Sequence, residues 1–155
     1  MTLETERKTV PVADMIPIIK EALLEKQVEM TVTGNSMMPL LIDRKSVVRL
    51  TAPLRLKKGD IVLFERTSGS FMLHRITVVS DGFYDIIGDN QYVPDRHVPK
   101  EAIIAKVSEY NRKGRKWKTT GKTYLLVLPI LKGTRRFLSR VKGKLQRVSI
   151  LKSQK

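Results

Sequence analysis

Phe71-Met72-Leu73-His74-Arg75-Ile76-Thr77-Val78-Val79, then Ser80-Asp81-Gly82, then Phe83-Tyr84-Asp85-Ile86-Ile87-Gly88-Asp89-Asn90 reads as two strands around a turn. Both runs are rich in β-branched and aromatic residues, and Asp-Gly between them adopts turn conformations at little cost. Side chains alternate across a strand, so Met72, His74 and Ile76 share one face and Leu73 and Arg75 the other. His74 therefore sits on an apolar face.

Working outward, the same grammar recurs. Val28–Thr33, Val47–Leu50, Ile61–Glu65 and Ile103–Tyr110 are short apolar or alternating runs, punctuated by turn residues such as Lys58-Gly59-Asp60 and Thr67-Ser68-Gly69-Ser70. The fold class predicted is mainly β, with antiparallel pairing. Ahead of it, Met15, Ile16, Ile19, Ala22 and Leu23 recur at helical spacing, predicting one short helix over Asp14–Lys26 with Asp14 as its cap and Pro17 in its first turn. No internal repeat or low-complexity segment precedes Asn111.

The 155 residues carry a formal charge of +15, but the charge is not evenly distributed. All fifteen acidic residues lie at or before Glu109 and are balanced there by fifteen basic ones, so residues 1–111 are neutral. From Arg112 onward there are fifteen lysines and arginines and no acid. The expected organisation is thus an N-terminal segment and helix (1–27), a neutral body (28–111) and a basic tail (112–155). In the tail, Phe137, Leu138, Val141, Leu145 and Val148 fall on one helical face opposite arginines and lysines, which predicts a C-terminal basic amphipathic helix. Such a helix suits an anionic membrane surface. It could instead pack on the body with its basic face solvated. Nucleic acid is not expected, because no helix-turn-helix is legible.

The absence of cysteine excludes a thiol nucleophile, a disulfide framework and cysteine-ligated zinc; neither a metal nor a cofactor is expected. Met1–Lys8 is polar and charged, with no signal-peptide pattern, and the longest apolar run, 124–131, is too short to span a bilayer as a helix. The location predicted is cytoplasmic, or peripheral at the cytoplasmic membrane surface.

The chemistry is concentrated in a few residues. Ser36, in Thr33-Gly34-Asn35-Ser36-Met37-Met38-Pro39, follows a strand and a glycine, an arrangement that can display its hydroxyl and leave its backbone N–H for a substrate oxygen. A serine there also serves simply as a turn former. There are two histidines, and a neutral imidazole is the ordinary base for a hydroxyl near pH 7. His74 is the candidate; His97, in Pro94–Pro99, reads as solvated loop. A carboxylate to orient the imidazole is offered by Asp89 and, as a second candidate, Asp95.

The order Gly34-Asn35-Ser36-Met37-Met38-Pro39-Leu40, Gly59-Asp60-Ile61-Val62, His74-Arg75-Ile76, Gly88-Asp89-Asn90 resembles the signal peptidase I family, within the S24/S26 superfamily that includes LexA-type self-cleaving repressors. The resemblance spans roughly residues 28–110 and is to the histidine-base type, without the usual transmembrane anchor ahead of the serine box. It implies coiled antiparallel sheets, Ser36 as nucleophile, His74 as general base, and Asp89 as orienting acid, with Asp95 sharing or replacing it. Met37 and Pro39 of the serine box are expected to position substrate. Gly34 stands where some members carry a serine that assists the oxyanion hole, which leaves the Ser36 N–H as donor. The implied activity is a serine endopeptidase that cleaves a leader or signal segment from a peptide or protein precursor. Two alternatives remain: a catalytically silent member that binds peptide or protein, and a LexA-like self-cleaving regulator.

Overall fold

The computed structural model describes residues 11–112 and 114–118. The helix α1 spans Val12–Glu25 and is followed by strands β1 (Val28–Thr31), β2 (Val47–Thr51), β3 (Ile61–Glu65), β4 (Phe71–Val79), β5 (Phe83–Ile87), β6 (Asp95–Pro99), β7 (Ile103–Arg112) and β8 (Arg115–Lys118). All pairings are antiparallel, in the order β1-β2-β7-β3-β4-β5-β6, with β8 also on β7. The described body is therefore mainly β with one short N-terminal helix. The amphipathic helix and apolar run expected in the basic tail lie outside the described residues.

Strands β3, β4 and β5 coincide with the runs legible in the sequence. Strand β3 lies between β7 and β4 in the sheet and is buried on both faces: Ile61, Val62, Leu63 and Phe64 are all sealed from water. On one face Val62, Phe64, Ile76, Tyr84, Ile86, Val98 and Ile103 form a continuous core. Each such side chain contributes roughly 1.5–3 kcal/mol of transfer free energy, which is what fixes the register. Register shifts between Arg49 and Leu50, Leu63 and Phe64, Ile76 and Val78, and Tyr84 and Ile86 bend the strands locally.

Some boundaries differ from expectation. Helix α1 begins two residues earlier, so Asp14 lies in its first turn and makes no side-chain cap, while Pro17 falls inside the helix, where it removes one backbone donor. The segment Pro94–Pro99, read as loop, contributes edge strand β6, a place where prolines and charged residues are tolerated because one side of the strand pairs with nothing. The basic turn after residue 111 is a hairpin: Arg112 pairs with Arg115 and Tyr110 with Trp117, so the sheet continues to Lys118.

Candidate active site

The loop carrying Ser36 is closed at its base by two backbone bonds, Val32 N–H to the Ser46 carbonyl at 2.9 Å and Arg44 N–H to the Val32 carbonyl at 2.8 Å. Inside it Gly34 takes a φ of 88°, which other residues adopt only with strain, and its N–H donates to Asp43 Oδ1 at 2.8 Å. Met37, Leu40 and Leu41 are buried and anchor the loop in the body, leaving Ser36 half-buried above them. Met37 is thus a packing residue, only 1% exposed; Pro39 is half-buried. The Ser36 hydroxyl makes no hydrogen bond among the described residues, whereas a turn-forming serine would spend its hydroxyl locally.

A second turn holds the first from across the sheet. Asn90 N–H donates to the Ser36 carbonyl at 2.7 Å, and its side-chain Nδ2 donates to the Asn35 carbonyl at 2.9 Å. The approach is so close that a Cβ on Gly88 would lie 2.8 Å from the Ser36 carbonyl oxygen. Pairing of Arg75 with Ile87 sets the preceding residue, His74, beside Gly88 in the antiparallel register. The Ser36 turn and the strand that carries His74, distant in the chain, thus both border Gly88.

His74 is fully buried, its ring 5.9 Å from that of Phe64. Its Nδ1 lies 3.4 Å from Asp95 Oδ2, long for a hydrogen bond, and neither ring nitrogen has a hydrogen-bond partner among the described residues. No hydrogen bond joins it to Ser36. Burial pushes the imidazole below its ordinary pKa; the Asp95 carboxylate opposes this, and the Arg66 guanidinium reinforces it. The neutral form, the one able to accept a proton, is favoured near pH 7.

The two candidate acids lie in different surroundings. Asp95, at the start of β6, faces His74 and is gripped by Arg66, whose Nε lies 2.7 Å from Oδ1 and whose Nη2 donates to Oδ2 at 2.8 Å. Asp89 is on the opposite side of β4: both of its oxygens accept from Arg75, from Nε and Nη2 at 2.9 Å, and Arg75 Nη1 donates to the Gly59 carbonyl at 2.7 Å. Both members of that pair are buried, and their bidentate geometry satisfies each other's charge. Asp60 of the neighbouring box is likewise structural, accepting from Lys57 N–H and pairing with Lys106 at 2.8 Å. His97 is exposed at the edge of Phe83, with a φ of 52°.

Sequence reading did not single out Asn90, Arg66 or Gln91. Asn90 was within reach of it, since an asparagine closing a turn commonly bonds backbone; Arg66 carries no local signal. Among the described residues no cluster of histidine and carboxylate side chains could hold a metal ion, and no helix is long and apolar enough to cross a membrane.

The model of the family described as Peptidase S24-like matches residues 4–108, a span that contains every residue of this site. No curated protein matches the chain.

Proposed function

Because this chain belongs to the Peptidase S24-like family, we propose that it is a serine endopeptidase in which Ser36 is the nucleophile, His74 the general base and Asp95 the carboxylate that orients it. The observation that carries this reading is the clamp of the Ser36 turn onto Gly88 and Asn90, beside His74. With Nδ1 toward Asp95, Nε2 is the nitrogen left to take the Ser36 proton. The Ser36 oxygen bonds to the scissile carbonyl carbon, the carbonyl π pair moves to oxygen, and its return expels the amine, which takes its proton from His74. Water then attacks the ester by the same route. Asp89 holds Arg75, and through it the Gly59 turn, rather than the base.

The Ser36 N–H has no acceptor among the described residues, which supports its use as an oxyanion donor. The substrate in this reading is an extended leader or signal segment of a precursor, added along a free strand edge; β1 and β6 each have one sheet neighbour. Residues 112–155, with fifteen basic and no acidic side chains, would hold the enzyme at an anionic membrane surface. Co-sedimentation with anionic vesicles should fall when Arg135, Arg136 and Arg140 are changed to glutamine; unchanged sedimentation rejects that location.

A binding module has one observation on its side: His74 is sealed from water and not hydrogen-bonded to Ser36. Catalytic hydrogen bonds often tighten only with substrate, so this does not outweigh the convergence. Labelling by a fluorophosphonate separates the two. The parent should be labelled at Ser36, and Ser36→Ala and His74→Ala should each abolish labelling and peptide cleavage to a similar extent, because such residues act as a unit. Cleavage by Ser36→Ala at the parental rate rejects the proposal.

A further inference from the structure

Asp95 is the carboxylate that faces His74, yet its own strand does little to aim it. It opens β6, an edge strand with β5 as its one neighbour among the described residues, and the register between the two shifts beside the pairing of Ile86 with Asp95. An aspartate in such a place has rotamers that turn its oxygens to water. Two surface depressions flank it, one bordered by residues 64–68 and the other by residues 90–94, and Asp95 lies in the wall of each. Arg66 borders both as well.

Arg66 supplies the missing restraint from the turn between β3 and β4. Both of its backbone groups are used in closing that turn: its N–H donates to the Ser70 carbonyl and its carbonyl accepts from Gly69 N–H, each at 2.8 Å. The guanidinium thus reaches out from a fixed base. Its Nη2 donates to Asp95 Oδ2 at 2.8 Å. Its Nε, sealed from water and without an aligned acceptor among the described residues, lies 2.7 Å from Oδ1 as an ionic contact. Both carboxylate oxygens are therefore held, and Oδ2 is the one that lies 3.4 Å from His74 Nδ1. Two contacts to a planar group fix its rotation, which one contact does not. The side chains of Arg66 and Asp95 are 31% and 20% exposed, so the pair keeps more of its strength than one at an open surface.

We propose that Arg66 is a positioning residue: it holds the Asp95 carboxylate with Oδ2 toward His74 Nδ1, which keeps the imidazole proton on Nδ1 and leaves Nε2 open to the Ser36 proton. The inference deepens the serine-peptidase reading above and rests on it. Without Arg66 the carboxylate remains nearby as a charge but loses its aim, and the choice of tautomer depends on that aim.

The test uses the full chain at about pH 8, where His74, its pKa lowered by burial, is neutral. The parent is compared with Arg66→Met, which keeps an aliphatic stem but no donor. One readout is the imidazole nitrogen shifts of His74 by NMR, with His97 as internal reference; the other is kcat and KM for a peptide that the parent cleaves. The parent should show the Nδ1–H tautomer. Arg66→Met should show a mixture of tautomers and lose about tenfold to a hundredfold in kcat, with KM little changed. A parent in the Nε2–H form, a parental kcat in the variant, or a kcat loss with the tautomer unchanged each overturns the proposal, the last because it makes the role of Arg66 structural alone. If Arg66→Met does not fold, Arg66→Lys carries the same comparison, since an ammonium cannot hold both oxygens in a fork. A parent that neither cleaves peptide nor is labelled by a fluorophosphonate overturns the peptidase reading; the tautomer comparison then still decides whether Arg66 aims Asp95 at His74.

Discussion

Gly88→Ala probes the central contact directly. Gly88 does not occupy the left-handed region, so alanine meets no backbone penalty there, and the effect is confined to what the new methyl group touches. The methyl carbon would lie 2.8 Å from the Ser36 carbonyl oxygen, whereas ordinary contact begins near 3.4 Å. The two must part by roughly 0.6 Å. Gln91, at 3.1 Å, is a flexible side chain and can swing aside. The Ser36 oxygen cannot, because it is backbone and accepts from Asn90 at 2.7 Å. Overpacking of this kind costs about 1–3 kcal/mol, and stretching the Asn90 bond about 1 kcal/mol more. If Ser36 is the nucleophile as proposed, a displacement of this size should slow its acylation about tenfold to a hundredfold. The assay is the rate of Ser36 phosphonylation, set beside the melting temperature. Repeating it in a Gln91→Ala background removes the contribution of a displaced Gln91, and the loss should persist there. Labelling of Gly88→Ala within twofold of the parent, with the fold intact, would refute the clamp as the device that positions Ser36.

Two further outcomes follow from the charged groups. Arg75→Met leaves Asp89 buried and unpaired and should destabilise the fold by about 3–5 kcal/mol, whereas the double change Arg75→Met with Asp89→Leu should recover much of that loss in thermal melting; equal damage from both would show that the pair is not coupled. Arg66→Ala removes a cation that lowers the His74 pKa and unmasks Asp95, which raises it, so the acid limb of the kcat/KM profile should move to higher pH; a shift to lower pH would contradict the arrangement of these three groups.

Much of the body could be read from the chain because the signals are local. Strand β4 shows its two faces by alternation alone, and His74 falls on the buried apolar one as its neighbours Met72 and Ile76 require. Asp81-Gly82 and Gly34 mark turns because of what a glycine backbone permits, and both have positive φ. The edge strands β6 and β8 escaped notice for an equally local reason. Asp-Arg-His-Val-Pro and Arg-Lys-Trp-Lys carry no alternation of apolar residues, since an edge is held by backbone pairing to its one neighbour.

The candidate site divides along the same line. Serine, histidine and two acids could be picked out by residue type and order, but which acid faces the base depends on contacts between distant parts of the chain. Alternation places Arg75 opposite His74, yet only the folded sheet buries Arg75 and gives it Asp89 as its counter-charge, leaving Asp95 for His74. Charge burial is a tertiary quantity, set by how much water each side chain loses when the strands assemble. By itself, the sequence determined the β pattern, the face of His74, the turn at Ser36 and the segregation of charge. The tertiary structure alone decided that the Ser36 turn closes on Gly88, because a missing Cβ matters only when another backbone comes within 2.8 Å of its place.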